Sequence, residues 1–430
     1  MHLTRLPSLA LSFFLLPAFA FPQGNLTPPG APAPTMKTLD QVEARTPIST
    51  TPFTITNSGS YYLTKNLAVT SGHAIVIAAD GVTLDLNGFT LSSTEASPSG
   101  SGILISGTRR NIQIGNGHIQ GNVTVSGGNY SGSGFGSGIS YSGPGFANVR
   151  VTGLNVSGCL YDGINLGQGD SVRVEWCTVR TAGNYGIVAT AVSGCSATEI
   201  GYIGISGVTA TDCFASAISF GVVVDSASSC SGVASQGTGL TAYQNAINCS
   251  GITTSGSILD YGLVGFTATN CYGQSAGVGT GLAVVYAANS CYGQSDSGYG
   301  INAANATASN SYGISINGGP GVYADTATAC WGKGGSSQGV NAKVANNCYG
   351  YSAANRGVNA DVANSCYGIS NSPSFGVYVN YIATGCYGHS ASGTGLSTYI
   401  ANSCFGSNSN GSSISYSYHY NMPPNNYPTP

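Results

Sequence analysis

Short alternating runs of apolar and polar residues dominate the chain from Phe53 onward. FTITNSGSYYLTKNLAVT, HAIVIAADGVTLDLNGFTLSS and NIQIGNGHIQGNVTVSGG place β-branched and aromatic residues at every second position, broken by Asn, Gly, Asp and Ser. That period is the signature of half-buried strands. No stretch sustains a helical period over a useful length. Residues 127–145, GGNYSGSGFGSGISYSGPG, are the most glycine-rich part and are read as a loop.

Farther along, the alternation becomes a repeat. Cys177, Cys195, Cys213, Cys230, Cys249, Cys271, Cys291, Cys330, Cys348, Cys366, Cys386 and Cys404 recur about every 18–22 residues, with Ser311 taking the place left open between Cys291 and Cys330. Cys159 also precedes Cys177 by 18 residues. Aligning NVRV (148–151) with SVRV (171–174) nevertheless puts Leu154, not Cys159, in the cysteine position. A second marker, Gly followed by an aliphatic, keeps the same interval from Gly281-Leu282 to Gly395-Leu396. Each unit reads Gly-aliphatic-x-Ala-x-x-Ala-Asn-x-Cys-Tyr-Gly-x-Ser.

A unit this short, without a helix, cannot bury its own apolar face and must stack on its neighbours. Strands bent by Gly and Asn and repeated in register give a solenoid whose coils lie about 4.8 Å apart. The regular units and the looser ones before them amount to about 17 coils of 18–22 residues, a rod about 80 Å long. In register, each position stacks on its own copies. Cysteine is small, apolar and commonly buried, so its column fills a narrow interior. Asn289, Asn346, Asn364 and Asn402, two residues before the cysteine, form a second column, with Thr269, Thr328 and Thr384 substituting. Asn suits this place because it tolerates a left-handed turn and bonds to its copies above and below. The Gly after Tyr allows a bend where a Cβ would clash.

This layout resembles the right-handed parallel β-helix of the pectate-lyase-like superfamily, and more closely exported bacterial β-helix repeat proteins of unassigned function. The resemblance rests on SGSYYLTKNLAVTSGHAIVIAADGVTLDLNGFTL (58–91), on NVRV and SVRV followed by YDGI (161–164) and NYGI (184–187), and on the Cys-Tyr-Gly units. It covers nearly the whole chain after residue 50. It implies an all-β fold, a single-stranded right-handed parallel β-helix. The lyases of that superfamily hold Ca²⁺ between carboxylates on neighbouring coils and use Arg or Lys as base; its hydrolases use a compact Asp cluster. Asp80 and Asp85 lie in a motif that recurs in non-enzymatic relatives and are expected to be structural.

The ends of the chain read differently. MHLTR, then LALSFFLLPAFA, then Ala18-Phe19-Ala20 form an export signal at residues 1–20 with cleavage after Ala20. Its apolar run is shorter than the roughly 20 residues a membrane-spanning helix needs. A secreted or cell-surface protein without a membrane span is the expectation. Residues 21–52 are a Pro-rich linker whose TLDQVEAR (38–45) either forms a short capping helix or stays exposed. The solenoid is placed at 53–410, with irregular coils at 53–147 and regular ones at 148–410. Residues 411–430 are a C-terminal cap and tail in which Ile414, Tyr416, Tyr418 and Tyr420 alternate as one last strand.

Composition narrows the chemistry. Charged residues are 6% of the chain and the net charge is −3. No basic stripe exists for nucleic acid. No C-x-x-C occurs and the five histidines are scattered, so no metal is expected beyond Ca²⁺ under the lyase alternative. The thirteen cysteines are read as buried free thiols ahead of disulfides, because parallel stacking aims every sulfur the same way. Asp162, Asp170, Arg173 and Glu175, with Arg150 and Arg180 on adjacent coils, are the best candidates for acid–base catalysis. A salt-bridged surface is the competing reading of the same residues. Tyr272, Tyr292, Tyr312, Trp331, Tyr349, Tyr367, Tyr387 and Phe405 each follow the ladder residue, so strand alternation points them outward as a stripe. Such a stripe suits polysaccharide. Turned inward, it would be a packing stack. The functional expectation is an exported, non-catalytic structural or adhesive rod that binds polysaccharide along this stripe. The alternative is a polysaccharide lyase or glycoside hydrolase with its site near residues 135–180.

Overall fold

A computed structural model describes residues 43–422, apart from 144, 145 and 255. The expected export signal, most of the stretch read as linker with TLDQV of its amphipathic part, and the last eight residues lie outside the described residues. Two units are distinguished, Met1–Ala44 and Arg45–Pro430, and the second is the solenoid. It is an all-β stack of about 19 parallel turns, two more than the repeat suggested. Its first strand, Thr46–Ile48, begins within the stretch read as linker and pairs with Tyr61–Leu63, burying Ile48.

Three interior columns build the core. The first is aliphatic. It passes through Ile75, Ile103, Ile139, Ile164, Ile187, Ile205 and Val222 in consecutive paired coils. It then continues through every Gly-aliphatic marker to Leu396 and Ile414. The second changes size along the stack, from Leu84, Ile114, Val151, Val174 and Val192 to an unbroken run of alanines from Ala210 to Ala401. The third is the cysteine column, with Ser311 inserted as expected. The pairing of Asn155 with Thr178 sets Leu154 beneath Cys177, while Cys159 pairs with Ala182. A column of alanine beside a column of cysteine makes the later coils narrow, and these residues stay 0–3% exposed from Cys195 through Cys213, Ala227 and Cys230.

Each regular coil has two strands. Val340–Asn346 bends at Lys343, and Tyr349–Ser352 follows after a tight turn. That turn corrects one expectation. The left-handed residue lies immediately before the cysteine, at Asp212, Ser229, Asn248, Asn270, Ser290, Asn310, Ala329, Asn347, Ser365 and Ser403, not two before it. Asn346 and Asn364 are ordinary strand residues, and they do bond across coils, Asn364 Nδ2 donating to Asn346 Oδ1 at 2.9 Å. The turn residue must leave the strand so that the next side chain, cysteine, swings back into the core.

The glycine after the aromatic marks a close approach of two backbones. A Cβ on Gly350 would stand 2.0 Å from the carbonyl oxygen of Gly357, and one on Gly339 would stand 2.3 Å from the Tyr351 nitrogen. The same contact recurs at Gly293, Gly313, Gly332, Gly368 and Gly388. Gly350 does not have a positive φ, so proximity and not a bend selects glycine. The two glycine markers are therefore one feature, a pinch where opposite walls of the coil touch without side chains between them.

The repeat's last residue, serine, secures the loop beyond the pinch. Ser295 Oγ donates to Gly279 O at 2.5 Å and accepts from Gly298 N at 2.8 Å. Ser352 and Ser390 do the same for their loops. Each ties its own loop to the loop of the coil below, which satisfies backbone groups where strand pairing has stopped.

The glycine-rich segment read as a loop is largely strand. Asn122–Ser126 and Asn129–Ser133 form an antiparallel hairpin, and Ser137–Ser142 rejoins the solenoid. Gly127 and Gly128 both have positive φ, which a two-residue hairpin turn requires. Tyr130 anchors the hairpin to the stack by donating its hydroxyl to Glu199 O at 2.9 Å. Burial, then the nearby Glu199 charge, pushes its phenol up to about 12.

The pinch makes a testable contrast. Gly350→Ala is expected to destabilise the protein by about 3 kcal/mol in urea denaturation, because backbone must move. Gly153→Ala, at φ 62° with nothing within 4 Å, is expected to cost only about 1 kcal/mol from local strain. Equal costs would refute the backbone-contact reading.

Candidate binding surface

The candidate catalytic residues fall into separate arrangements. Arg150 and Arg173 pair in register, as their motifs require. Glu175 Oε2 takes both Arg150 Nε at 2.8 Å and Arg150 Nη2 at 2.6 Å. Asp162 accepts from Asn165 Nδ2 at 2.9 Å, Asn184 Nδ2 at 3.1 Å and Tyr185 N at 3.2 Å. Asp170 accepts from Ser171 Oγ at 3.2 Å on an exposed edge. Arg180 reaches up to Glu199 at 2.8 Å, where Arg180 and Thr181 hold the Glu199 carboxyl below its usual range. Asp162 therefore serves a loop corner and Glu175 an ion pair. No hydrogen bond or ion pair links these two acids among the described residues. Asp85 likewise binds Arg45, Asn87 N and Asn116, and Asp80 accepts from Arg110 N, in line with the structural role expected of both.

All thirteen cysteines are free and buried. The ladder thiols donate to main-chain carbonyls; Cys348 Sγ meets Ala327 O at 3.3 Å, and Cys366 Sγ meets Ala345 O at 3.3 Å. Cys230, Cys271 and Cys366 hold their protons well above the ordinary thiol range, first through bonds to the thiols on either side and then through burial. Off the ladder, burial, with Asp162 nearby, pushes Cys159 up to about 12. These thiols are packing groups that also complete the hydrogen bonding of the core. No group of three or more His, Cys, Asp or Glu suited to a metal occurs among the described residues.

The aromatic column faces outward. Along Tyr349–Ser352 burial alternates, with Tyr349 and Tyr351 half-buried and Gly350 and Ser352 buried. All eight rings from Tyr272 to Phe405 stack face to face, at centroid separations of 4.1–5.9 Å and interplanar angles of 1–15°. Trp331 lies 4.1 Å from Tyr312 and 5.9 Å from Tyr349. Burial raises the phenol pKa of Tyr272, Tyr292, Tyr312 and Tyr367. Stacking uses the ring faces, so along most of its length the column offers solvent edges and hydroxyls. A sugar ring docks on a face. Geometrically the column is a spine that clamps successive coils, with the faces of its inner rings taken up by their neighbours.

A second aromatic lane, not recognised in the repeat, is more open. It runs along the corner in the long strand of each coil. Tyr243, Phe266, Tyr286, Tyr381 and Tyr399 occupy this corner and are 39–65% exposed. In the coils between, Asn305, Asp325, Lys343 and Asp361 take the position, and Lys343 pairs with Asp325 at 2.9 Å. Extra residues are inserted here, giving register breaks between Ala242 and Asn245, Ala283 and Ala287, and Ala303 and Thr307. The breaks push the corner outward as bulges do and leave a groove of about 500 Å³ over coils 242–305. The signal in the sequence is an aromatic four or five residues after the Gly-aliphatic marker. The inserted residues move it out of a fixed interval.

No family model, curated protein or solved structure matches this chain.

Trp331→Ala removes two stacked neighbours from the spine and is expected to lower stability by about 2 kcal/mol, at about 1 kcal/mol per aromatic pair. Trp331→Tyr should restore nearly all of it. Urea denaturation checks both, and a silent Trp331→Ala would show that the stack carries no stability.

Proposed function

We propose that the chain is an exported, non-catalytic structural or adhesive rod, of the kind its resemblance to pectate-lyase-like β-helices and exported repeat proteins suggests, and that it contacts polysaccharide through its lateral surface. The observation that carries this reading is that the candidate acids are committed to different partners. Asp162 is committed to Asn165, Asn184 and Tyr185, and Glu175 to Arg150. A lyase or hydrolase needs carboxylates converging on one bond, with a proton donor or base within reach of it. The lateral surface favours contact over chemistry: it repeats one solvent-facing pattern coil after coil, poor in charge and rich in aromatic and amide groups. Repetition multiplies weak contacts along an extended partner.

The test uses the full chain after export, mixed with a panel of insoluble polysaccharides with and without Ca²⁺. Both co-sedimentation and the release of reducing ends or unsaturated products are followed. Retention on at least one polysaccharide without product is the expected result. Product that disappears in Arg173→Ala or Glu175→Gln would establish the enzyme reading instead. No retention on any polysaccharide would remove the ligand from the proposal.

A further inference from the structure

We infer that the groove over coils 242–305 is the site where the rod takes a neutral, extended glycan, and that the stacked Tyr-Trp spine is not. This rests on the polysaccharide-contact reading above and names its site and ligand class. Tyr243, Tyr261 and Phe266 supply aromatic surface in the groove; Tyr243 is 56% exposed, while Phe266, 39% exposed, stacks one face on Tyr286 at 5.2 Å. Tyr243 is in no ring stack among the described residues, whereas Trp331 is sandwiched between Tyr312 and Tyr349. Asn302 and Asn305 line the same groove. Asn302 Oδ1 accepts from Ala304 N at 3.2 Å, which orients the carboxamide, and its Nδ2 has no protein partner among the described residues. Asn305 is exposed and its amide is likewise unpartnered there.

The lining has no Asp, Glu, Lys, Arg or His. A carboxylated or sulfated chain would find no cation to pair with, and a basic partner no anion. A hexose polymer presents what this surface lacks a partner for: flat C–H faces for the rings and hydroxyl edges for the two carboxamides and the Tyr hydroxyls. The geometry also suits a repeating ligand. Coils advance by about 4.8 Å, close to the rise of one hexose in an extended chain, so successive sugars running along the stack would meet successive coils. Farther along the lane, Asp325, Lys343 and Asp361 take over the corner and end the neutral stretch, which limits the site to a few sugars.

The experiment is calorimetric titration of the full chain with cellohexaose, mannohexaose and laminarihexaose as neutral probes and hexagalacturonate as the anionic one. Tyr243→Ala/Phe266→Ala, Asn305→Ala and Trp331→Ala are titrated in parallel, with circular dichroism confirming the fold. At least one neutral hexasaccharide is expected to bind, with affinity at least tenfold lower in the double variant and severalfold lower in Asn305→Ala. Trp331→Ala should leave it unchanged, and hexagalacturonate should not compete. Neutral binding that survives intact in the double variant would overturn the groove and leave the polysaccharide reading standing. Absence of binding by every probe would overturn the inference, as would a double variant that changes only self-association in sedimentation, which would make a second copy the occupant. Failure of the broader reading would instead appear as no retention on any insoluble polysaccharide.

Discussion

Every residue in this fold must be able to stand directly on a copy of itself about 4.8 Å away. That constraint explains the composition. Charge stacks badly, because like charges in adjacent parallel strands repel, and the chain holds only 6% of it. Ala, Cys, Ser and aliphatics stack well indoors, Tyr and Asn outdoors. Where a coil must pass close to its own opposite wall, at Gly350 and Gly357, only glycine leaves room. Where the chain must turn to send cysteine inward, a left-handed Asn, Ser, Asp or even Ala329 is accepted because the alternative is an unfilled core.

The same constraint separates the two aromatic lanes. In the spine, the short strands pair without a register shift and one ring lands on the next, so stacking is satisfied within the protein. At the corner, extra residues in some coils break the spacing, and Tyr243 and Tyr399 are not absorbed into a continuous stack. Order along the spine therefore yields stability, and disorder in the length of the corner yields an open surface. The proposed division of labour, spine for cohesion and corner for contact, follows from that difference in register.

Much of this was legible in the chain. The interval between cysteines, the substitution by Ser311 and the exclusion of Cys159 in favour of Leu154 all follow from alignment alone, since strict register turns sequence spacing into spatial pairing. The outward direction of the aromatic column followed from strand alternation. Three features were hidden. Gly127-Gly128 was a hairpin signal lost in a glycine-rich background. The left-handed turn follows the Asn column of Asn289, Asn346, Asn364 and Asn402 by one residue, at Ser290, Asn347, Ser365 and Ser403, and was hidden because identity alone does not reveal φ and the turn position varies in residue type. The corner lane escaped because the inserted residues shift Tyr286 and Tyr381 relative to Phe266 and Tyr399. As for the candidate site, the alignment of Arg150 with Arg173 was readable, but the Glu175–Arg150 pairing and the Asn165–Asp162–Asn184 corner depend on where side chains reach across coils.

The stack rests on the in-register column of free thiols, which one measurement addresses directly. Protein labelled with ¹³C at cysteine Cβ, studied by solid-state dipolar recoupling, should show carbon–carbon distances clustered at the coil spacing, about 4.8 Å. Couplings would form two runs separated by Ser311, and Cys159 would stand apart. A cluster near 3.8 Å, the Cβ separation across a disulfide, or the absence of couplings among Cys330, Cys348, Cys366, Cys386 and Cys404, would contradict the stack on which the rest is built.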